Sequence, residues 1–200
     1  MNRILILFAH PAFERSRVHR SLIETISSLD GITINDLYEK YPEFDIDIER
    51  EKELLLQHPV IVWQHPLFWY SGPALLKQWQ DLVLEHGWAY GRHGHALDGK
   101  KIFNAITSGA EMEAYSPAGL QRSPIKDFLL PFERTAQLCR MIYMPPFWVP
   151  GTHKLNPEQI KKFSDQYRNL LIKIRDRDTV DKEIPAVSFL NELVTTEQKL

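Results

Sequence analysis

Residues 60–76 read Val-Ile-Val-Trp-Gln-His-Pro-Leu-Phe-Trp-Tyr-Ser-Gly-Pro-Ala-Leu-Leu. The apolar run Val60–Trp63 suits a strand buried on both faces, and it stops in a proline-containing turn that carries adjacent aromatics. Ser71 and Pro73 then open an amphipathic helix, with Leu75, Leu76, Trp79, Leu82 and Val83 on one face and Gly87 as its stop. Aromatic rings left in water at the carboxyl end of a strand are costly unless something flat covers them. In open α/β sheets that edge is where ligands bind, so this segment predicts a site for a planar cofactor.

The same strand-then-helix rhythm continues in both directions. Ile4–Ala9 is a continuous apolar run ended by His10-Pro11, and Val18, Leu22, Ile26 and Leu29 then fall on one helical face up to Gly31. Residues 32–38 alternate as a second strand, and 48–57 read as a short helix. Ile102–Thr107 is a fourth strand and Met141–Met144 a fifth. Pro124 starts a helical stretch that Pro131 is expected to break or kink. Asn156-Pro157 opens a last helix with Ile160, Phe163, Tyr167, Leu170, Leu171 and Ile174 as its apolar stripe. Alternation of this kind predicts an α/β fold: a flavodoxin-like, doubly wound, five-stranded parallel sheet of order 2-1-3-4-5, with helices on both faces. The organisation expected is one domain over 1–175, followed by a tail or dimer-contacting arm over 176–200.

Composition narrows the function. The chain has 200 residues, a net charge of −2 and a single cysteine. Nucleic acid is therefore not an expected partner, and no intrachain disulfide can form. No apolar run is long enough to span a bilayer, and Met1–Ile4 runs directly into a strand pattern, so a cytoplasmic protein is expected. Neither GxGxxG nor GxxxxGK[ST] follows the first strand, which argues against Rossmann dinucleotide binding and P-loop hydrolysis. His86, His93 and His95 share a glycine-rich loop, but no Cys or carboxylate completes a metal spacing, and no metal is expected. Cys139 reads as a packed thiol.

Three strand-end loops fall on one edge of such a sheet. His10 to His19 leads into a helix N-terminus, where Ser16, Arg17 and the first amides, including that of Val18, suit a phosphate; the bland alternative makes Ser16 a helix cap only. Pro66, Leu67, Phe68, Trp69 and Tyr70 offer backbone groups and flat faces for an isoalloxazine ring, or cover for core or a dimer contact. Thr107, Ser108, Gly109 and Ala110 let backbone amides approach a ring edge, or form a plain turn.

The residues Ala9-His10-Pro11 with Ser16, Gln64–Ser71 through Lys77, Ala89-Tyr90-Gly91, Gly99-Lys100-Lys101 and Thr107-Ser108-Gly109 together resemble the flavodoxin-like NAD(P)H:quinone oxidoreductases. Asp36-Leu37-Tyr38, Tyr41–Phe44, His86–Gly91 and Pro131-Phe132-Glu133 through Phe147 make the chain most similar to the ancillary proteins of the glutathione-regulated Kef potassium-efflux systems. The resemblance spans about residues 3–175. It implies FMN, with FAD as the alternative, NAD(P)H as hydride donor, a quinone-like acceptor and a homodimer. It places the flavin phosphate at His10 and Ser16–His19, the ring on Leu67–Tyr70, and Thr107–Ala110 at the ring edge. A second role, as a regulatory subunit on the cytosolic face of a potassium-efflux transporter, would use Pro145-Pro146-Phe147-Trp148 as an apolar surface; core and dimer packing is the alternative for that segment. The chain departs from the family where His19 stands for Asn, and where Ala110 replaces a second glycine ahead of Glu111 and Glu113. Tyr115 matches the family's proton-handling Tyr, whereas Gln121 occupies the position of its partner His.

Overall fold

The computed structural model describes residues 2–176 and 186–194. Six parallel strands form one sheet: β1 (Ile4–Phe8), β2 (Ile32–Asp36), β3 (Val60–Pro66), β4 (Lys101–Thr107), β5 (Ile142–Tyr143) and β6 (Phe147–Val149). The order is β2-β1-β3-β4-β5, with β6 also on β4, as the expected 2-1-3-4-5 sheet requires. Registers run from Ile6 beside Val62 to Val62 beside Phe103 in the centre of the sheet.

The interior strands read as unbroken apolar runs because both of their faces are covered. On one face α1 (Arg17–Ile26) and α6 (Pro157–Asp176) pack Val18, Leu22, Tyr167 and Leu171 against Ile6, Val62 and Phe103. On the other, α2 (Leu37–Lys40), α3 (Ile48–Gln57), α4 (Ala74–Val83) and α5 (Leu130–Leu138) pack Leu37, Leu55, Trp79 and Phe132 against Leu5, Ile61 and Trp63. Gly31 turns α1 into β2 at φ +79°, where a side chain would be strained.

Several elements differ from the sequence reading, each for a local reason. The second strand stops at Asp36, whose carboxylate accepts from the amides of Tyr38 and Glu39 and so caps α2 in place of a longer strand. Pro131 does not break its helix. It sits in the first turn of α5, where its missing N–H costs nothing, after the 3-10 turn Ile125–Leu129. Leu82 turns partly to solvent, leaving Leu75, Leu76, Trp79 and Val83 as the buried stripe. The fifth strand is split: β5 pairs with the start of β4, and β6 with its end, across Met144–Pro146. Two prolines cannot donate to a ladder, hence the gap. This also corrects the expected docking surface, because Pro146, Phe147 and Trp148 are buried.

Residues 186–194 cover the outer side of β6. The Leu190 amide donates to the Pro146 carbonyl (3.0 Å). Asn191 takes the Trp148 N–H on Oδ1 (2.9 Å) and returns Nδ2 to the Trp148 carbonyl (3.0 Å). Residues 177–185 and 195–200 of the expected tail lie outside the described residues.

One carboxylate ties three helices to the sheet. Glu51 is fully buried and accepts from Asn35 Nδ2 (2.8 Å to Oε2), Tyr41 Oη (2.6 Å), Trp79 Nε1 (2.8 Å) and Arg50 Nη1 (2.5 Å). Burial and the Glu51 carboxylate together push the Tyr41 phenol up to about 12, so it remains a donor. Removing the carboxylate would leave Asn35 Nδ2, Tyr41 Oη and Trp79 Nε1 without their acceptor in a dry site, while Arg50 keeps Asn35 Oδ1 and Tyr41 Oη. Glu51→Ala is therefore expected to lose about 3 kcal/mol or more in urea unfolding; a loss under about 1 kcal/mol would contradict this account of the network.

Candidate functional site

The carboxyl ends of β1, β3 and β4 meet in a cleft of about 370 Å³. It gathers His10, Ser16, Arg17 and Val18 from the first loop, Pro66, Leu67 and Phe68 from the second, and Thr107 and Gly109 from the third. Ala12 and Arg15 also reach it, as do Thr152 and His153 from the loop after β6. The expected sites that lie outside its lining are His19, Trp69, Tyr70, Ser108, Ala110 and Tyr115.

One end of the cleft is an anion site by construction. Ser16 caps α1, its Oγ accepting the His19 amide at 3.2 Å, which leaves its proton free to donate. The amides of Arg17 and Val18 have no acceptor among the described residues and sit at the positive end of a ten-residue helix. The Arg17 guanidinium holds the carbonyls of Thr152 (3.1 Å) and Leu155 (3.2 Å), so it fastens the last loop against the first while adding charge. His10 Nδ1 accepts the Ala12 amide at 3.1 Å, which leaves Nε2 as its donor. Burial holds its pKa below the ordinary value.

The other wall is formed by Pro66, Leu67 and Phe68, at the base of an aromatic turn. The Leu67 amide donates to the Thr107 carbonyl (2.8 Å) and the Ser71 amide to that of Phe68 (3.0 Å), closing a tight hairpin on Trp69 and Tyr70. Both tip residues have positive φ, 49° and 62°. Turns with two central residues in that region select Asn-Gly, and a bulky side chain there costs roughly 1 kcal/mol or more. The strain puts Trp69 at 92% exposure beside a half-exposed Phe68, whose ring meets His10 edge-on at 5.7 Å. Tyr70 stacks on Phe128 (5.4 Å).

The third loop is held from behind. Trp148 Nε1 donates to Ser108 Oγ (3.0 Å), whose own proton goes to the Ala110 carbonyl (2.9 Å). Ala110 accepts the Gly151 amide as well. Glu111 is turned away along Gly151, with Lys154 on its carboxylate at 2.7 Å. Its charge is thereby balanced by a cation. Tyr115 stands edge-on to Trp148 (5.4 Å) and Phe128 (5.9 Å). Burial raises its phenol pKa, with the Ser108 hydroxyl beside it acting the other way.

Two buried histidines lie beneath this surface. His65 Nδ1 faces the Pro66 carbonyl (2.9 Å), Asn104 Nδ2 donates to its Nε2 (2.9 Å), and Tyr143 Oη donates to Asn104 Oδ1 (2.6 Å). His19 is 1% exposed and lies behind the cleft lining: its Nε2 is 3.1 Å from Thr107 Oγ1, and its ring meets that of His10 edge-on at 5.3 Å. Thr152 and His153 were missed because the sequence shows no strand at 147–149; once β6 is present, its terminal loop falls on the same edge as the others.

One parallel sheet of order 2-1-3-4-5, covered by helices on both faces and with its cleft at the carboxyl edge, defines a flavodoxin-like α/β protein. Residues 2–171 match the family described as flavodoxin-like fold, and the chain belongs to it. It is 43% identical over 169 residues, 84% of this chain and 92% of the relative, to the glutathione-regulated potassium-efflux system ancillary protein KefG of Yersinia enterocolitica. Among solved structures, the general stress protein 14 of Treponema denticola, in complex with FMN, aligns at TM-score 0.82 and 37% identity over 85% of this chain and 98% of that one. An NADPH-quinone reductase of P. pentosaceus aligns at 0.77 and 32% identity, over 84% and 96%.

Trp69→Asn with Tyr70→Gly should raise unfolding stability by about 1 kcal/mol, since the turn then carries residues suited to it; unchanged or lower stability would show that the tip is not strained. The His65 pKa is lowered from 6.5 to about 4 by burial. An unfolded chain takes up the proton near 6.5 and the folded one resists it, so this stability is complete above pH 6.5 and drains away as pH falls towards 4. Unfolding at pH 7 and pH 4.5 should differ by about 2 kcal/mol from this group, and the difference should shrink in His65→Gln; an equal slope in the variant would refute the assignment.

Proposed function

We propose that the chain is a flavin-dependent NAD(P)H:quinone oxidoreductase that holds FMN in this cleft, FAD being the alternative. The observation that carries the reading is the juxtaposition, in one cleft, of an unsatisfied helix N-terminus with the half-exposed ring of Phe68. Ser16 and the amides of Arg17 and Val18 would hold the phosphate; Leu67 and Phe68 would flank the ring, with Thr107 and Gly109 at its edge. Bound flavin would supply acceptance of a hydride from NAD(P)H and its donation to a quinone-like acceptor. Tyr115 keeps its proton at neutral pH and is the proton donor we assign to the substrate side. Kinship to an NADPH-quinone reductase and an FMN-bound relative supports the same reading.

A two-fold dimer belongs to the proposal, because a partner covering Trp69 would remove the largest exposed ring from water. A monomer by sedimentation at micromolar concentration would remove this part. An ancillary role on a potassium-efflux transporter is supported by the kinship to KefG, but its docking face has to lie away from the buried Pro146–Trp148 segment. No helix among the described residues is long and apolar enough to cross a membrane.

Purified protein incubated with FMN and washed should retain the flavin bands, and NADPH should bleach them without oxygen. Phe68→Ala should weaken FMN about tenfold, the ~1.4 kcal/mol worth of an aromatic contact. No retention of either FMN or FAD would overturn the reading.

A further inference from the structure

A single file of buried polar side chains runs from the α6 core to the floor of the cleft. Tyr167 Oη donates to Gln64 Oε1 at 2.8 Å. That fixes the amide, so Gln64 Nε2 faces His19 Nδ1, at a longer 3.4 Å. His19 Nε2 lies 3.1 Å from Thr107 Oγ1. All four residues are at most 5% exposed, and Thr107 alone reaches the cleft.

We infer that His19 is a positioning residue: it accepts from Gln64 on Nδ1, donates Nε2–H to Thr107, and so turns the Thr107 hydroxyl proton out into the cleft towards an acceptor atom of the ligand. Each link leaves the next with one choice. An amide N–H can meet only the bare nitrogen of imidazole, so the ring proton must be on Nε2. Thr107 Oγ1 then accepts, and its own proton must point elsewhere. The opposite sense would leave the Tyr167 hydroxyl proton without an acceptor among the described residues, an unsatisfied donor in a dry core. Burial, with His10 and His65 nearby, holds the His19 pKa well below its ordinary value, so no second ring proton disturbs the order. The consequence is specificity: at this point the cleft favours a ligand atom that accepts, such as a ring carbonyl, a bare ring nitrogen or a phosphate oxygen, and rejects one that donates. That the ligand is a flavin rests on the proposed function; the direction of the chain does not.

The test has two arms. Long-range proton–nitrogen NMR of histidine-labelled protein without flavin should show His19 with a protonated Nε2 and a bare Nδ1. A protonated Nδ1 would overturn the inference. In FMN titrations, Thr107→Val should weaken binding about tenfold, the upper end of one hydrogen bond's worth. Thr107→Ser should stay within about twofold of wild type. Tyr167→Phe, which touches nothing in the cleft, should weaken FMN in the same direction and mix the His19 tautomers. Equal affinity of Thr107→Val and wild type would overturn the inference while leaving the flavin reading intact. A wild type that takes up no flavin would sink that reading instead, and the tautomer alone would then decide the relay.

Discussion

Four polar side chains, Gln64, His65, Asn104 and Thr107, stand towards the carboxyl ends of two neighbouring strands whose faces are both covered by helices. Gln64, His65 and Asn104 are fully buried and must be satisfied by the protein itself, while Thr107 is held from within and meets the cleft on its other side. Because neighbouring residues of a strand face opposite ways, the demand splits in two. Gln64 and Thr107 are served from the α1–α6 side through Tyr167 and His19. His65 and Asn104 are served from the other side through Tyr143, with Phe132 stacked on the His65 ring at 5.0 Å. The helices thus fit the sheet by polar register as well as by apolar area, and the cleft inherits a floor that cannot rearrange cheaply.

Above that floor, folding and ligand binding want different things. A tight hairpin is best made of small residues tolerant of positive φ, yet this one carries Trp69 and Tyr70. Local preference and global structure disagree there, and such disagreement is expected where a site has to be displayed. The loops on either side show the opposite economy. Arg17 secures the 152–155 loop, Trp148 secures Ser108, and Lys154 neutralises Glu111. The acidic residue beside a glycine-poor loop, a departure from the resembling family, is thereby made compatible with an anionic ligand nearby.

How much of this the chain discloses in one dimension depends on range. Ile4–Ala9, Val60–Trp63 and Ile102–Thr107 announce buried strands because burial on both faces leaves a continuous apolar run. Ser16 announces a cap because its partner, the His19 amide, is three residues away. What stays hidden is set by distant partners. Trp148 reads equally well as surface or core until Asn191 and Ser108 are brought to it. Thr152 and His153 have no local mark, since Arg17 is what draws their loop to the cleft. His19 reads as a ligand contact by position, and only the depth of α1 in the structure shows it buried behind Thr107.

Asn191 presents Trp148 with one acceptor and one donor, the same pair that a neighbouring strand would offer. A side chain thereby stands in for a seventh strand and closes an edge that would otherwise be open to a stranger's backbone. Because this surrogate belongs to the same chain, joined to α6 through residues 177–185, its arrival is not a bimolecular event and does not depend on protein concentration. The segment lies beyond the 2–171 stretch that the family shares. Colloidal behaviour in crowded solution is therefore set in part by a segment outside that shared stretch, with no change at the cleft.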